Sequence, residues 1–359
     1  MKKIIQDLTK GECRELMLSM GEKAFRGDQL FDGITMGKSV SEISNIPKPL
    51  KEKLLETYED SAAQIVERLV SSDGTEKYLF RLADGNVIEG VLMKYKYGNT
   101  QCVSTQVGCR MGCKFCASTL GGLVRNLTKG EILAQVLLVN RLLGGTLKER
   151  KVTNIVLMGS GEPLDNYDNT VGFLRLISSP EGLNISPRNI SLSTCGLVPQ
   201  MRKLTEEGLS VNLTVSLHAP FDEDRKKIMP VANAYSIREI LDACAFYFEK
   251  TGRRYIFEYT LIRGQNDSEA HVKELVRLLS GRPCLINVIR LNEVKETGLI
   301  STGETHARAF IDKLTRAGLT ATLRRSAGAD IQGACGQLRR KYLANPTEIR
   351  AGREEEYES

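Results

Sequence analysis

The chain has 359 residues, of which 41% are hydrophobic and 26% are charged, the ordinary balance of a globular protein. It contains no apolar run of about 18 residues, and its N-terminal segment shows neither an apolar core nor a cleavage-site pattern, which argues against a membrane protein and against secretion. Nine cysteines, an odd number spread along the chain, predict reduced thiols in the cytoplasm rather than a disulfide framework.

The net charge of +6 is unevenly distributed along the chain. Residues 1–100 contain 15 Lys and Arg against 16 Asp and Glu, whereas residues 101–359 contain 35 against 28. An excess of positive charge indicates either a polyanionic partner, such as a nucleic acid, or an ordinary solvated surface. Charge alone leaves both interpretations open.

The first hundred residues divide into a helical part and a strand-rich part. Helix start and stop signals predict three short helices, at 9–20, 26–33 and 48–58. We therefore expect residues 1–60 to form a small helical accessory domain. Residues 61–100 contain three strand-like runs separated by Asp-Gly turns at Asp73 and Asp84, which predicts a β-meander linker to the core.

Between residues 101 and 325 the chain alternates strand-like and helix-like patterns. The predicted strands are 102–107, 153–158, 189–193, 210–216, 255–261 and 284–290. A capping box of Thr128 and Glu131 begins the first helix, and the later helices are predicted near 167–178, 197–207, 236–250, 268–280 and 304–317. A second capping box, of Ser236 and Glu239, begins the helix near 236–250. About six βα units predict an α/β fold with a parallel barrel or part-barrel, whose functional groups lie at the carboxyl ends of the strands. An open, doubly wound sheet has the same periodicity and remains an alternative.

Three cysteines, Cys109, Cys113 and Cys116, lie within eight residues in a C-x₃-C-x₂-C pattern. Thiolates are the usual ligands of iron–sulfur clusters, and a four-iron cluster normally takes four of them, so three leave one iron open to another ligand. The last two cysteines could instead form a thioredoxin-like redox pair. A structural zinc site would need a fourth ligand, and none of the three histidines lies near this loop in the sequence.

Two further segments are ambiguous when taken alone. The sequence Gly159-Ser-Gly-Glu-Pro163 follows a predicted strand, but it lacks the Lys-Ser/Thr of a nucleotide-binding phosphate loop. Cys335, in the segment 328–338, could be no more than a small buried apolar residue.

Taken together, the cysteine loop, the Gly-Glu-Pro segment, Cys102-Val-Ser-Thr-Gln-Val-Gly-Cys109 and the segment around Cys335 resemble the RNA adenine methyltransferases of the radical-SAM superfamily. The resemblance covers nearly the whole chain. It implies a partial (β/α)6 radical-SAM barrel over residues 101–325 and a C-terminal segment, 326–359, that carries a methyl-accepting cysteine. It also implies one 4Fe–4S cluster held by the three clustered cysteines, with S-adenosylmethionine (SAM) on the open iron. The implied SAM contacts are Gly161, Glu162, Ser193, Ser216, Leu217, His218 and Asn292.

The activity that the resemblance implies is methylation of carbon 2 of an adenine in 23S ribosomal RNA and in transfer RNA, with two SAM molecules used per turnover. Cys335 takes a methyl group from the first SAM, a step that requires a thiolate. The second SAM provides the radical that joins this carbon to the adenine. Glu89 then accepts the ring proton, and Cys102 attacks the Cys335 sulfur, which releases methylated RNA and leaves a disulfide.

Two alternatives stay open. An enzyme with the same mechanism could methylate carbon 8, the reaction that confers antibiotic resistance, although Pro163 and Asn166 favour carbon 2. A cluster-bearing protein that only binds RNA or senses redox state would need neither Cys335 nor Cys102. We expect 23S ribosomal RNA and transfer RNA as partners, with phosphate contacts at basic runs such as 225–227. We also expect a flavodoxin-like external electron donor, no membrane association and a monomer.

Overall fold

The computed structural model describes residues 2–325, 327–331, Leu338 and Tyr342, apart from the side chains of Lys295 and Ala329. Its N-terminal part contains the three predicted helices, α1 (Lys10–Ser19), α2 (Phe25–Thr35) and α3 (Lys48–Thr57). The side chain of Thr9 and that of Glu12 form a capping box that fixes the start of α1. These helices bury a hydrophobic cluster of their own, which includes Met17, Leu30 and Leu54.

Four antiparallel strands follow: β1 (Ala63–Val70), β2 (Glu76–Leu82), β3 (Val87–Tyr95) and β4 (Gly98–Cys102). The predicted turns are present at Gly74 and Gly85, whose positive φ values of 82° and 84° favour glycine. One face of this β-ribbon, including Tyr78 and Phe80, packs into the main hydrophobic core. The other face carries Lys77, Glu89 and Cys102.

The predicted strand over 102–107 is wrong, because β4 ends at Cys102. A separate strand, β5 (Gln106–Gly108), pairs with β6 (Leu123–Asn126) in a two-stranded sheet. The Gln135 side chain exchanges two hydrogen bonds of 2.9 Å with the backbone N–H and C=O of Ser104. These bonds satisfy the backbone N–H and C=O of Ser104 at the point where the chain leaves the main sheet. Sequence periodicity does not reveal such contacts between a side chain and a distant backbone.

The remaining helices and strands alternate along the chain, with one exception. They are α4 (Lys129–Leu142), β7 (Val152–Leu157), α5 (Tyr167–Ser178), β8 (Ile190–Thr194), α6 (Val198–Glu206), β9 (Asn212–Ser216), α7 (Asp222–Ile228), α8 (Ile237–Thr251), β10 (Tyr255–Leu261), α9 (Glu269–Leu279), β11 (Cys284–Arg290), α10 (Glu304–Arg316) and β12 (Ala321–Leu323). The exception is α7 and α8, which follow one another. The predicted capping boxes begin α4 and α8. The short elements β6, α7 and β12 were not expected from the sequence.

The main sheet has the strand order β1-β2-β3-β4-β7-β8-β9-β10-β11-β12, and every pair from β4 to β12 is parallel. Strands that follow one another in the parallel part are also neighbours in space. A doubly wound sheet would reverse this order at a switch point, so that alternative is wrong. The predicted α/β part-barrel of six βα units is confirmed. Within the described residues, no helix is long and apolar enough to span a membrane.

Candidate active site

The predicted site residues lie mostly at one edge of the sheet, because the carboxyl ends of parallel strands meet there. Cys102 ends β4, Gly161 and Glu162 follow β7, Ser193 lies in β8, Ser216 ends β9 before Leu217 and His218, and Asn292 follows β11. Cys335 lies outside the described residues. The fold therefore brings residues that are far apart in sequence to a common edge, as the sequence predicted.

The three clustered cysteines lie in a loop that follows β5. The N–H of Cys109 donates to the Gly122 carbonyl oxygen at 3.0 Å, and the N–H of Cys116 donates to that of Cys113 at 3.1 Å. The Thr119 hydroxyl donates to the carbonyl oxygens of Cys113 and Cys116 at 3.2 and 2.9 Å. These hydrogen bonds hold the loop in a curled shape. Within it Cys109 and Cys113 are buried and Cys116 is half-buried.

Gly108 allows this loop to form. Its φ of +81° lies in the left-handed region, and a Cβ placed there would lie 2.0 Å from the Gly122 carbonyl oxygen. We expect Gly108→Ala to lower the iron content of the reconstituted protein and its free energy of unfolding, by at least about 1–2 kcal/mol for the left-handed backbone alone. Gly121→Ala is the matched control, since an added Cβ there meets nothing within 4 Å. Equal iron content in the two variants would contradict this role of Gly108.

The donor set, three thiols in one loop, fits an iron–sulfur cluster. Burial raises the pKa of Cys109 to about 12 and that of Cys113 as well, and the Cys116 thiol adds to both shifts. These thiols are therefore poor nucleophiles unless a metal replaces their protons. No three His, Cys, Asp or Glu side chains in the described part of the chain converge on one ion. In a four-iron cluster each cysteine binds its own iron, so its sulfurs need not converge on one point.

Glu162 connects the ends of β7 and β8. Its Oε2 accepts a hydrogen bond from the Cys195 N–H at 2.7 Å, and its Oε1 accepts one from the Leu164 N–H at 3.0 Å. Burial raises the pKa of Glu162, while the Cys195 N–H opposes that shift. Each carboxylate oxygen has a second lone pair. Glu162 thus fixes the loop and still has acceptor capacity for a ligand.

His218 lies between the cysteine loop and the β9–β10 region. Its Nδ1 accepts a hydrogen bond from the Thr260 N–H at 2.9 Å, which assigns the ring proton to Nε2. Burial lowers the pKa of His218 to about 3, so the ring is neutral at physiological pH. The Phe115 ring meets it edge-on at 4.7 Å between centroids. His218 has a φ of +57°, which is unusual for a non-glycine residue and occurs here at a candidate site.

Sequence reasoning missed an ionic network next to Ser193. The Ser193 hydroxyl donates to Oε2 of Glu258 at 3.3 Å, and Nη1 of Arg324 donates to Oε1 at 2.8 Å. The backbone carbonyl oxygen of Glu258 accepts the N–H of Leu217 at 3.0 Å. Glu258 lies in the middle of β10. A single acidic residue in a strand of mostly apolar residues gives no sequence signal for a functional site.

Arg225, which the sequence placed in a basic run for RNA, is fully buried and cannot contact a phosphate there. Its Nη2 donates to the carbonyl oxygens of Cys195 at 2.6 Å and Ser216 at 3.1 Å, and its Nε donates to that of Leu217 at 3.2 Å. Burial lowers the pKa of Arg225, while the nearby Cys195 and Cys113 thiols oppose the shift. Arg225 therefore holds together the loops that follow β8 and β9.

We expect Arg225→Met to lower the free energy of unfolding by about 3 kcal/mol, because it leaves buried carbonyl groups without donors. Chemical denaturation of the protein without cluster measures this directly. Lys226→Met is the matched control, since Lys226 is a half-buried neighbour whose ion pair with the exposed Glu223 contributes little. If both variants unfolded at the same denaturant concentration, the Arg225 contacts would not stabilise these loops.

A second group of predicted residues lies on the inner face of the β-ribbon, which is the face opposite to Tyr78 and Phe80. Val91 of β3 pairs with Cys102 of β4, and side chains two residues apart on a strand share a face, so Glu89 and Cys102 point to the same side. The Glu89 carboxylate lies 3.2 Å from Nζ of Lys77, and both side chains are buried. No disulfide joins two of the described cysteines.

The C-terminal segment contacts this same face. Ala327 packs against the cluster formed by Cys102, Val91 and Met93. Leu338 is buried against Leu79 and Val87.

The turn between β1 and β2 holds the segment before Cys335. The Asp330 carboxylate accepts hydrogen bonds from the Ser71 hydroxyl and, at 2.9 Å, from the Ser72 N–H. The Gly328 N–H donates to the Asp73 carboxylate at 3.3 Å. The segments on both sides of Cys335 are thereby attached to the β-ribbon that bears Cys102 and Glu89.

Comparison with known proteins agrees with this architecture. Residues 103–279 match the radical-SAM superfamily. The chain is 53% identical over 344 residues to a probable dual-specificity RNA methyltransferase RlmN of Clostridium perfringens strain SM101, covering 95% of this chain and 98% of the relative. A relative of the same name from Lachnoclostridium phytofermentans is 50% identical over 341 residues, covering 94% of each chain. A crystal structure of a radical SAM methyltransferase from Sphaerobacter thermophilus superimposes with a TM-score of 0.88 at 40% identity, covering 93% of this chain and 98% of that one. The chain is therefore a radical-SAM methyltransferase and belongs to the RlmN family of dual-specificity RNA methyltransferases.

Proposed function

We propose that this enzyme methylates carbon 2 of an adenine in 23S ribosomal RNA and in transfer RNA, and that Cys335 carries the methyl carbon. The name of the relatives, dual-specificity RNA methyltransferase, supports RNA as the substrate. The two RNA classes, 23S ribosomal RNA and transfer RNA, follow from the resemblance seen in the sequence. The choice of carbon 2 follows from the resemblance seen in the sequence, including Pro163 and Asn166.

In this proposal Cys109, Cys113 and Cys116 would hold a 4Fe–4S cluster to which SAM would bind. The bound cluster supplies the electron that converts SAM into a source of a carbon radical. The residues that would hold SAM are Gly161, Glu162, Ser193, Ser216, Leu217, His218 and Asn292. Glu162 offers a hydrogen-bond acceptor and the neutral His218 offers a donor. Both side chains are buried and held in place by backbone hydrogen bonds, which suits the precise placement of a cofactor.

Three side chains would act on the RNA. The Cys335 thiolate accepts a methyl group from SAM, and its methyl carbon later bonds to carbon 2 of the adenine. Glu89 accepts the proton that leaves carbon 2, and the unpaired electron that the radical addition leaves on the ring would pass to the cluster, which gave up one electron when SAM was cleaved. The Cys102 thiolate then attacks the Cys335 sulfur, the bond between sulfur and the methyl carbon breaks, and that carbon takes a proton to become the RNA methyl group. The protein is left with a Cys102–Cys335 disulfide that an external reductant must open.

The attachment of the C-terminal segment supports this proposal most directly. Cys335 is three residues from Leu338, and three trans peptide units span at most about 11 Å. Leu338 packs against Val87, which is two residues before Glu89 on the same face of β3. Ala327, on the other side of Cys335 in the sequence, packs with Cys102. The chain length between these anchors allows Cys335 to reach the face that bears both Cys102 and Glu89.

Mass spectrometry of nucleosides from RNA methylated by the purified enzyme tests the proposal. We expect 2-methyladenosine from both 23S ribosomal RNA and transfer RNA, and no methylated adenosine with Cys335→Ala. Finding 8-methyladenosine instead would assign the enzyme to the carbon-8 reaction. Methyl transfer that survives in Cys335→Ala would contradict the proposed carrier.

Each turnover uses two SAM molecules and needs electrons for the cluster, so we propose a flavodoxin-like electron donor. We further propose that the enzyme works as a monomer in the cytoplasm.

A further inference from the structure

We propose that Lys77 is a positioning residue for the proton acceptor Glu89; this inference rests on the function proposed above. Nζ of Lys77 lies 3.2 Å from Oε2 of Glu89, and the two side chains are 0% and 4% exposed. Lysine is among the residues least often found fully buried. A buried lysine beside a carboxylate on the candidate catalytic face therefore requires a specific reason.

Stability alone does not provide that reason. Removing two charges from water costs much of the free energy that their attraction returns, and apolar residues of similar volume usually serve as well or better. The neighbouring side chains on this face include Leu79, Val87 and Val91, so an apolar side chain would suit position 77. The pair is better explained by a use for the carboxylate itself.

The strand register places Lys77 where such a use is possible. Lys77 of β2 pairs with Val91 of β3, and Val91 pairs in turn with Cys102 of β4. Lys77, Glu89 and Cys102 therefore share the inner face of the ribbon. The backbone of Glu89 is held as well, because the Ser104 hydroxyl donates to its carbonyl oxygen at 2.7 Å.

The chemistry of proton transfer explains what Lys77 contributes. When the C–H bond at the adenine carbon breaks, its electron pair stays with the ring and the proton forms an O–H bond with Glu89. The carboxylate must be held at this carbon before the step, since proton transfer depends on distance and alignment. The Lys77 ammonium provides short, charge-assisted hydrogen bonds that orient a carboxylate. Lys77 acts through Glu89 and is not itself a catalytic residue.

The same ribbon offers a matched control on its opposite face. The Glu76 carboxylate is buried, and Nζ of Lys94 lies 2.7 Å from its Oε1. Lys94 is on β3, like Glu89, but an odd number of residues away, so its side chain points to the other face. Lys94→Met therefore removes a lysine–carboxylate pair from the ribbon without altering the Cys102 face.

The test compares Lys77→Met, Lys77→Arg and Lys94→Met in a single turnover with transfer RNA, using cluster-loaded protein whose iron content and circular dichroism match the wild type. Three quantities are followed: the nucleoside product of SAM cleavage, the covalent protein–RNA adduct and the released methylated RNA. We expect Lys77→Met to cleave SAM and form the adduct normally but to release RNA roughly tenfold more slowly or worse, so that the adduct persists. Lys77→Arg should restore most of the release, and Lys94→Met should behave as wild type.

Normal release by Lys77→Met would overturn the inference. So would an equal loss of SAM cleavage, adduct and release, because that pattern indicates damage to the whole site. Should Lys77→Met fail to fold, Lys77→Gln, whose neutral amide donates a weaker hydrogen bond without charge assistance, must still release RNA more slowly than the wild type. A parallel Cys102→Ala reaction separates the two proposals: if it forms the adduct while Lys77→Met releases RNA normally, only the role of Lys77 fails. Absence of any adduct in Cys102→Ala would remove the proposed function and this inference together.

Discussion

Cys102→Ala protein should accumulate a covalent adduct with RNA and release almost no methylated product. In the proposed sequence the methyl carbon joins Cys335 to the adenine, and only a second thiolate can break the bond between that carbon and sulfur. Cys102 is buried on the face that the C-terminal segment contacts, which makes it the described cysteine best placed for that attack. We expect the rate of product release to fall at least about a thousandfold. Losses of this size are typical when the nucleophile is removed from a set of catalytic residues that act together. Denaturing electrophoresis with labelled transfer RNA detects the adduct.

The controls separate resolution of the adduct from its formation. Cys335→Ala and the double variant with Cys102→Ala should form no adduct, because the carbon carrier is missing. Cys244→Ala, which alters a fully buried cysteine in α8, should methylate RNA normally. A cluster-loaded, SAM-cleaving Cys102→Ala protein that forms no adduct would count against the two-cysteine scheme.

Cys113→Ala should abolish the cluster, and with it all SAM cleavage and RNA methylation. With only two thiols the loop cannot hold three irons, whereas the wild type should bind about four irons per chain after anaerobic reconstitution. The broad absorbance band in the blue should disappear in the same variant. Iron and sulfide analysis together with the visible spectrum measure this without relying on activity.

Cys284→Ala is the matched control for this variant. Cys284 is buried like Cys113, at 6% against 8% exposure, but it begins β11 at the opposite end of the sheet. It should retain iron, spectrum and activity. Full iron content in Cys113→Ala would contradict the assignment of the three cysteines.

The sequence predicted most of the fold because its periodic signals are strong. The strands Tyr255–Leu261 and Cys284–Arg290 appear with the predicted bounds, and the capping boxes at Thr128 and Ser236 begin helices. The segment 102–107 failed because side-chain bonds from Gln135, which lies on α4, divert the chain there. The seven-residue helix α7 was missed because its charged sequence resembles a solvated turn.

Site residues that belong to a local sequence motif could be predicted. Those whose surroundings are set by the packing of distant segments could not. The cysteine loop and the Gly-Glu-Pro segment have fixed spacing, and the strand order brings them to one edge. The sequence placed Arg225 in a basic run predicted to contact RNA and gave no signal at Lys77. Both side chains are fully buried: Arg225 donates to three carbonyl groups, and Lys77 pairs with Glu89. Only the strand register shows that Glu89 shares a face with Cys102.

The most direct test of the account follows the methyl carbon itself. Enzyme is first incubated with SAM bearing an isotope-labelled methyl group, freed of excess SAM, and then mixed with RNA and unlabelled SAM for a single turnover. If Cys335 carries the carbon, the first methyl group that appears in RNA is labelled, and peptide mass spectrometry shows the label leaving Cys335 at the same rate. An unlabelled methyl group in that first turnover, with the label retained on the protein, would contradict the account.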